Sequence, residues 1–112
     1  MPHCIVEHAS SIQSESLIPL VFSGALDSGL FEPDGSDIKV RSIAYDGYLV
    51  GGQKSAFIHV VLKILAGRTD EQKKHLSKSV LEQLAGQQWG DCSITVEVAE
   101  MDRASYQKWL SR

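Results

Sequence analysis

Pro2, behind the initiating Met1, offers the most unusual chemistry in this 112-residue chain. Once Met1 is removed, its nitrogen is a rigid secondary amine. A site that desolvates this amine or sets cations beside it depresses its pKa, leaving a useful fraction neutral at pH 7. A neutral amine can take a proton from carbon and return one, which is what moving a double bond or enolising a carbonyl requires. Protonated, it could instead serve as the acid of a hydration, dehalogenation or decarboxylation, or it could act as a nucleophile. With Met1 attached the nitrogen is an amide without basicity, and the residue merely fixes a chain start, where proline is at home.

The other groups able to do chemistry are cations and imidazoles. Arg68 stands in AGRTDE, at a helix start where its charge is slightly unfavourable against the dipole. Lys39 and Arg41 share one face of a strand by their spacing of two. His3 reads as a polar residue on an edge strand and His59 as a satisfied core histidine; His8 and His75 carry no signal. Cys4 and Cys92 are far apart in apolar contexts, which fits reduced, buried thiols rather than a disulfide framework. No His, Cys, Asp and Glu cluster has metal-ligand spacing, and no glycine loop would cradle a phosphate.

The elements that must hold these residues read as two similar halves, about 1–52 and 53–112, within one domain. Each half is a strand, a helix and a strand. His3 to His8 alternates as a short strand, and a helix runs from about Glu15 to Leu26 with Pro19 expected in its first turn. Its apolar side is Leu17, Leu20, Val21, Ala25 and Leu26, and Ser28-Gly29 ends it. FEPDGSD is a loop, and Ile38 to Val50 is predicted as one long strand. Ala56 to Leu65 is nearly all apolar, the pattern of a central strand covered on both faces.

Thr69 and Gln72 form a near capping box, with Asp70 and Glu71 suiting the first turn, and Leu76, Val80, Leu81 and Leu84 recur at helical spacing as far as Gly86. Ile94, Val96 and Val98 alternate in the last strand, and Asp102 to Leu110 is predicted as a short helix packing on a neighbouring subunit. Two right-handed βαβ units side by side give an α/β architecture (α+β in some schemes): a four-stranded mixed sheet with two helices on one face. The other face, expected to expose Val, Ile and Leu, is predicted to be buried against other subunits.

Composition excludes other classes. With 43% hydrophobic residues, 22% charged residues and a net charge of -3, no basic field recommends nucleic acid. No apolar run approaches the roughly 18 residues that span a bilayer, and MPHCIVEHASSI lacks the basic and apolar regions of a secretion signal, so a cytoplasmic protein is expected.

The stretch SAFIHVVLKILAGRTDEQKK and the opening MPHCIVEHASSI resemble the 5-carboxymethyl-2-hydroxymuconate Δ-isomerase family of the tautomerase superfamily. The second half, from ILAGRTDEQKKHLSKSVLEQLA to ITVEVAEM, also resembles the short chain of 4-oxalocrotonate tautomerase, as a fused duplication would leave. The resemblance covers nearly the whole chain and is weakest between Ser14 and Ser36. It implies a homotrimer whose three sheets form an inner barrel, with an active site near each N-terminal proline.

It also implies Pro2 as general base of a cofactor-independent isomerase acting on a small unsaturated dicarboxylic acid, as in aromatic-acid breakdown. Arg68 then meets a substrate carboxylate or the developing oxyanion with its planar fork. Arg41 matches the second of a closely spaced cationic pair, and Lys39 stands where the first is often an arginine. Lysine there offers a point charge without bidentate geometry, a departure from the family pattern. A trimeric binding or scaffold protein that has kept the fold and lost the chemistry is the reading from another class.

Overall fold

The computed structural model describes residues 1–112. The element order is β1 (His3–Ala9), α1 (Ser14–Asp27), β2 (Lys39–Tyr45), β3 (Ala56–Leu65), α2 (Asp70–Ala85) and β4 (Cys92–Met101). The strands lie in the order β2-β1-β3-β4. β1 pairs parallel with β2, β3 pairs parallel with β4, and β1 and β3 join the two βαβ units antiparallel. This is the expected mixed sheet.

Period-two alternation sends Cys4 and Val6 of β1 and Ile58, Val60, Leu62 and Ile64 of β3 to the buried face, where they meet Leu17, Val21 and Ala25 of α1 and Leu76, Val80 and Leu84 of α2. The helices approach so closely that a Cβ on Gly24 would lie 2.6 Å from the Val80 Cα. Ser79 Oγ ties them at that point by donating to the Gly24 carbonyl at 2.7 Å. α2 starts with the anticipated capping box: Gln72 N–H donates to Thr69 Oγ1 at 3.1 Å and the Gln72 side chain accepts from Thr69 N–H at 2.9 Å. α1 ends at Ser28 and turns through Gly29 at φ 73°.

Several local expectations are corrected. β2 stops at Tyr45 because β1, its pairing partner, ends at Ala9; the chain then runs to a tight reversal at Gly51-Gly52 closed by Val50 and Gln53. Pro19 lies in the second turn of α1, not the first, where it forgoes only one backbone bond. Leu81 faces outward at 37% exposure. The tail makes one turn, Tyr106 N–H to Asp102 C=O at 3.1 Å, and then runs on without regular structure instead of forming a helix. Cys4 is buried but Cys92 only partly so.

The face away from the helices also differs from the expectation. β3 is covered on one side only, and its Phe57, His59, Val61 and Lys63 face outward in the single chain. With their cross-strand neighbours His3, Ile5, Glu7, Arg41 and Glu97 they make a surface that mixes aliphatic and charged residues, not a purely apolar one. No helix is long and apolar enough to cross a membrane.

Candidate active site

The strand directions bring one set of residues to a single end of the sheet. β1 and β2 both start there and β3 and β4 both finish there, since His3 is opposite Lys39 on one side and Lys63 on the other, and Leu65 is opposite Met101. Pro2, the β3–α2 turn with Arg68, and the tail after Met101 therefore meet at this end. The Pro2 carbonyl accepts the Lys39 N–H at 3.1 Å, extending the β1–β2 ladder by one bond. The Pro2 side chain is fully buried.

Beside it opens a cleft of about 690 Å³, within the range of small-molecule sites. Asp37 and Lys39 line one side, and Tyr106, Lys108 and Trp109 of the tail line the other. The chain-start amine, carried by Met1, is held below the ordinary α-amino value, first by burial, then by the charge of Lys39 and its hydrogen bond, then by Lys108, with Asp37 opposing. Asp37, Lys39 and Lys108 also line the cleft, so the charges felt by the Met1 amine are those of the cleft wall, although neither Met1 nor Pro2 itself lines it. The Met1 sulfur accepts the Leu65 N–H at 3.4 Å.

A second set of contacts runs from the sheet into the cleft. Arg41 Nη1 donates to His3 Nδ1 at 3.2 Å, and His3 Nε2 lies 2.9 Å from the Tyr106 hydroxyl. The two rings meet edge-on with centroids 6.1 Å apart. Burial, then Arg41, then Lys39 push the His3 pKa down, favouring the neutral ring. His3 thus sits on an inner strand between two partners, correcting the expectation of a polar residue on an edge strand.

Of the four residues singled out by sequence, only Lys39 lines the cleft; Pro2 lies behind it, buried and hydrogen-bonded to Lys39 through its carbonyl, and Arg41 connects to the cleft residue Tyr106 through His3. Arg68 does not join them: its Nη2 donates to the Leu30 carbonyl at 2.6 Å, tying the loop after α1 to the β3–α2 turn. Sequence reasoning missed Tyr106 and Lys108, whose only signal was the polar and aromatic makeup of a tail predicted as a packing helix, and Asp37, which was read only as part of the FEPDGSD loop. Cys4 is no nucleophile, because burial pushes its thiol up to about 12 despite the nearby Arg41.

Two of the remaining histidines have partners elsewhere. His8 is buried and satisfied, with Nδ1 donating to the Ala9 carbonyl at 2.9 Å and Ser14 Oγ 3.4 Å from Nε2. His59 is not a core residue. On the open face its Nε2 donates to Glu97 Oε2 at 2.7 Å, and Nδ1 is 2.6 Å from Thr95 Oγ1. Nearby, the Tyr45 hydroxyl donates to Glu7.

The architecture has close counterparts. A 5-carboxymethyl-2-hydroxymuconate isomerase from Deinococcus radiodurans R1 superposes with a TM-score of 0.75 at 25% identity, covering 98% of this chain and 90% of that one. A 5-carboxymethyl-2-hydroxymuconate delta-isomerase gives 0.69 at 12% identity over 99% and 89%. A fused 4-OT wild-type asymmetric trimer gives 0.77 at 17% over 95% and 91%. Comparison with curated proteins finds no significant match. The family model for 5-carboxymethyl-2-hydroxymuconate isomerase matches residues 2–108, from the proline at the chain start to the tail lysine of the cleft, and on that match the chain belongs to this family of isomerases.

Proposed function

We propose that the chain is a cofactor-independent isomerase that shifts a double bond, or interconverts keto and enol forms, in a small unsaturated dicarboxylic acid. The Pro2 amine, exposed by loss of Met1, is the general base. The observation that supports this is the Met1 amine, one residue before Pro2, held below its ordinary value by burial and by Lys39, a residue that also lines a polar cleft and hydrogen-bonds the Pro2 carbonyl. The base takes a proton from carbon, the electron pair moves into the conjugated carbonyl as a dienolate, and the same proton returns to a different carbon. Lys39 and Lys108 offer point charges to the carboxylates. Removing Met1 also frees the Leu65 N–H from its sulfur acceptor.

The assembly belongs to the same proposal. The uncovered face carries Ile5, Ile43 and Val61 among paired polar groups, and a fused 4-OT of the same fold is a trimer, which supports a homotrimer with the sheets inward. Arg68 of one protomer is then a candidate to reach a site of another.

One observation favours a binding or scaffold protein without activity: with Met1 in place, the Pro2 nitrogen is an amide and its ring is fully buried. Mass spectrometry and a single assay separate the readings. Protein shown to lack Met1 is expected to ketonise a simple enol such as phenylenolpyruvate, and Pro2→Ala to lose most of that activity. Processed protein inactive on every enol and muconate offered would sink the enzyme reading.

A further inference from the structure

We propose that Tyr106 is a catalytic residue that donates a hydrogen bond to the substrate oxygen on which charge develops, and that His3 and Arg41 are positioning residues that aim its proton into the cleft. This rests on the Pro2 reading above and deepens it. Isomerisation through a dienolate needs a donor at the oxygen as well as a base at the carbon, and no cleft residue discussed so far supplies a short, directed one.

The argument starts from donor inventory. A guanidinium has no acceptor, so the 3.2 Å contact between Arg41 Nη1 and His3 Nδ1 has one polarity: Arg41 donates and Nδ1 accepts. A neutral imidazole whose Nδ1 accepts must carry its proton on Nε2. That nitrogen lies 2.9 Å from the Tyr106 oxygen, so His3 donates and the phenol oxygen accepts. The Tyr106 O–H is then not spent on His3. Tyr106 lines the cleft with Lys39 and Lys108, the two cations that also surround the chain-start amine, so its proton is free to serve a ligand there.

The chain also polarises in the useful direction. Accepting a hydrogen bond from an imidazole that is itself held by a guanidinium makes the phenol a stronger donor. The Tyr106 proton is not transferred. The carbon-to-carbon transfer through Pro2 balances alone, and the phenol contributes only to stabilising the intermediate oxyanion. Through the one N–H it gives His3, Arg41 acts at one remove from the substrate in this arrangement.

The test uses full-length processed protein, with Met1 loss verified by mass and folding by circular dichroism. Tyr106→Phe is expected to lower kcat on phenylenolpyruvate about 10²-fold, the scale of one lost oxyanion donor, with KM changed less than about threefold. His3→Leu should fall to the same level, and the double variant no further, since the two act as one unit. His3→Gln, with an amide N–H to offer Tyr106 and an oxygen to accept from Arg41, should recover most of the activity. A structural role for His3 would produce neither that rescue nor that non-additivity.

Nitrogen chemical shifts of His3 read the wiring without any turnover: an Nε2–H tautomer is expected, and an Nδ1–H tautomer overturns the relay. If Tyr106→Phe keeps wild-type kcat while Pro2→Ala is inactive, the Tyr106 role falls and the base stands. If processed wild type is itself inactive, the base reading falls and the catalytic role of Tyr106 falls with it.

Discussion

The backbone N–H of Lys39 donates to the carbonyl of Pro2 at 3.1 Å, so the first residue of β2 is fixed beside the residue that would begin the processed chain. The Lys39 ammonium is, after burial, the largest influence holding the Met1 amine below its ordinary value. Lowering the pKa of an amine means that the neutral, basic form appears at lower pH. In the processed chain the amine moves to Pro2, whose carbonyl is bonded to Lys39 N–H, so Lys39→Gln, which removes the charge and keeps that backbone bond, is expected to raise the Pro2 amine pKa. The acid limb of the kcat/KM profile is expected to move to higher pH, and Lys39→Arg should leave it in place. An unmoved limb in Lys39→Gln would show that the charge is not felt at the base.

His3 gives a pH dependence of stability whose sign follows from its partners. Burial first, then Arg41, Lys39, the Met1 amine and Lys63 all disfavour its protonation, and Tyr106 adds no counter-charge. The folded pKa is therefore depressed, and the unfolded chain binds the extra proton first as pH falls. The contribution is complete above the ordinary histidine value of 6.5 and is lost as pH falls from there through the folded pKa. Chemical denaturation between pH 7.5 and 5 should show a decline that His3→Gln makes shallower. Equal slopes in the two proteins would remove His3 from the acid response.

Gly24 tests the packing that carries the site. A methyl there would meet the Val80 backbone at 2.6 Å, and backbone cannot swing aside as a flexible side chain can. Gly24→Ala gains about 1 kcal/mol in helix propensity. Overpacking against α2 costs about 1–3 kcal/mol, so a net loss of stability is expected. A thermal shift upward would show that the helices can separate at little cost.

How much of this was legible depends on sequence distance. Thr69 and Gln72 are three residues apart, and their capping box was readable because both partners sit in one short window. The alternation of β1 and β4 was legible for the same reason, and with it the fold class; β3, nearly all apolar, read as a strand covered on both faces, and its one-sided burial shows only in the sheet. The end of β2 was not, because Ile38 to Val50 alternates beyond the point where Ala9 ceases to offer a partner. Tyr106 was the largest omission: it finds His3 across 103 positions, and nothing local in the tail records that contact. Pro2, Arg41 and Lys39 could be named from a resemblance, but their connection through His3 required the register of β1 against β2.

The open face offers a test of assembly. In a single chain the His59–Glu97 pair is half-exposed, and an exposed pair contributes about 0–1 kcal/mol. Covered by neighbouring sheets, the same pair loses water, and removing one partner strands the other. Glu97→Ala is therefore expected to leave the protomer folded by circular dichroism while weakening the oligomer in sedimentation at dilute concentration. A wild-type protein that sediments as a monomer would refute the covered-face proposal.

The tail separates site from scaffold most sharply. Gln107 to Arg112 are exposed, Trp109 at 87%, and add nothing to the buried core, so a chain ending after Ser105 loses only the partly buried Tyr106 and its hydrogen bond to His3 and should stay folded, with a stability loss of about 0.5–1.5 kcal/mol. The same truncation removes Tyr106 and Lys108 and with them one wall of the cleft. Activity on phenylenolpyruvate is expected to fall at least as far as in Tyr106→Phe, with KM rising as well because Lys108 no longer meets the carboxylate. A truncated protein that keeps full kcat/KM would place the reaction away from this cleft. One that unfolds would show instead that the tail holds the sheet end together through Tyr106 and His3.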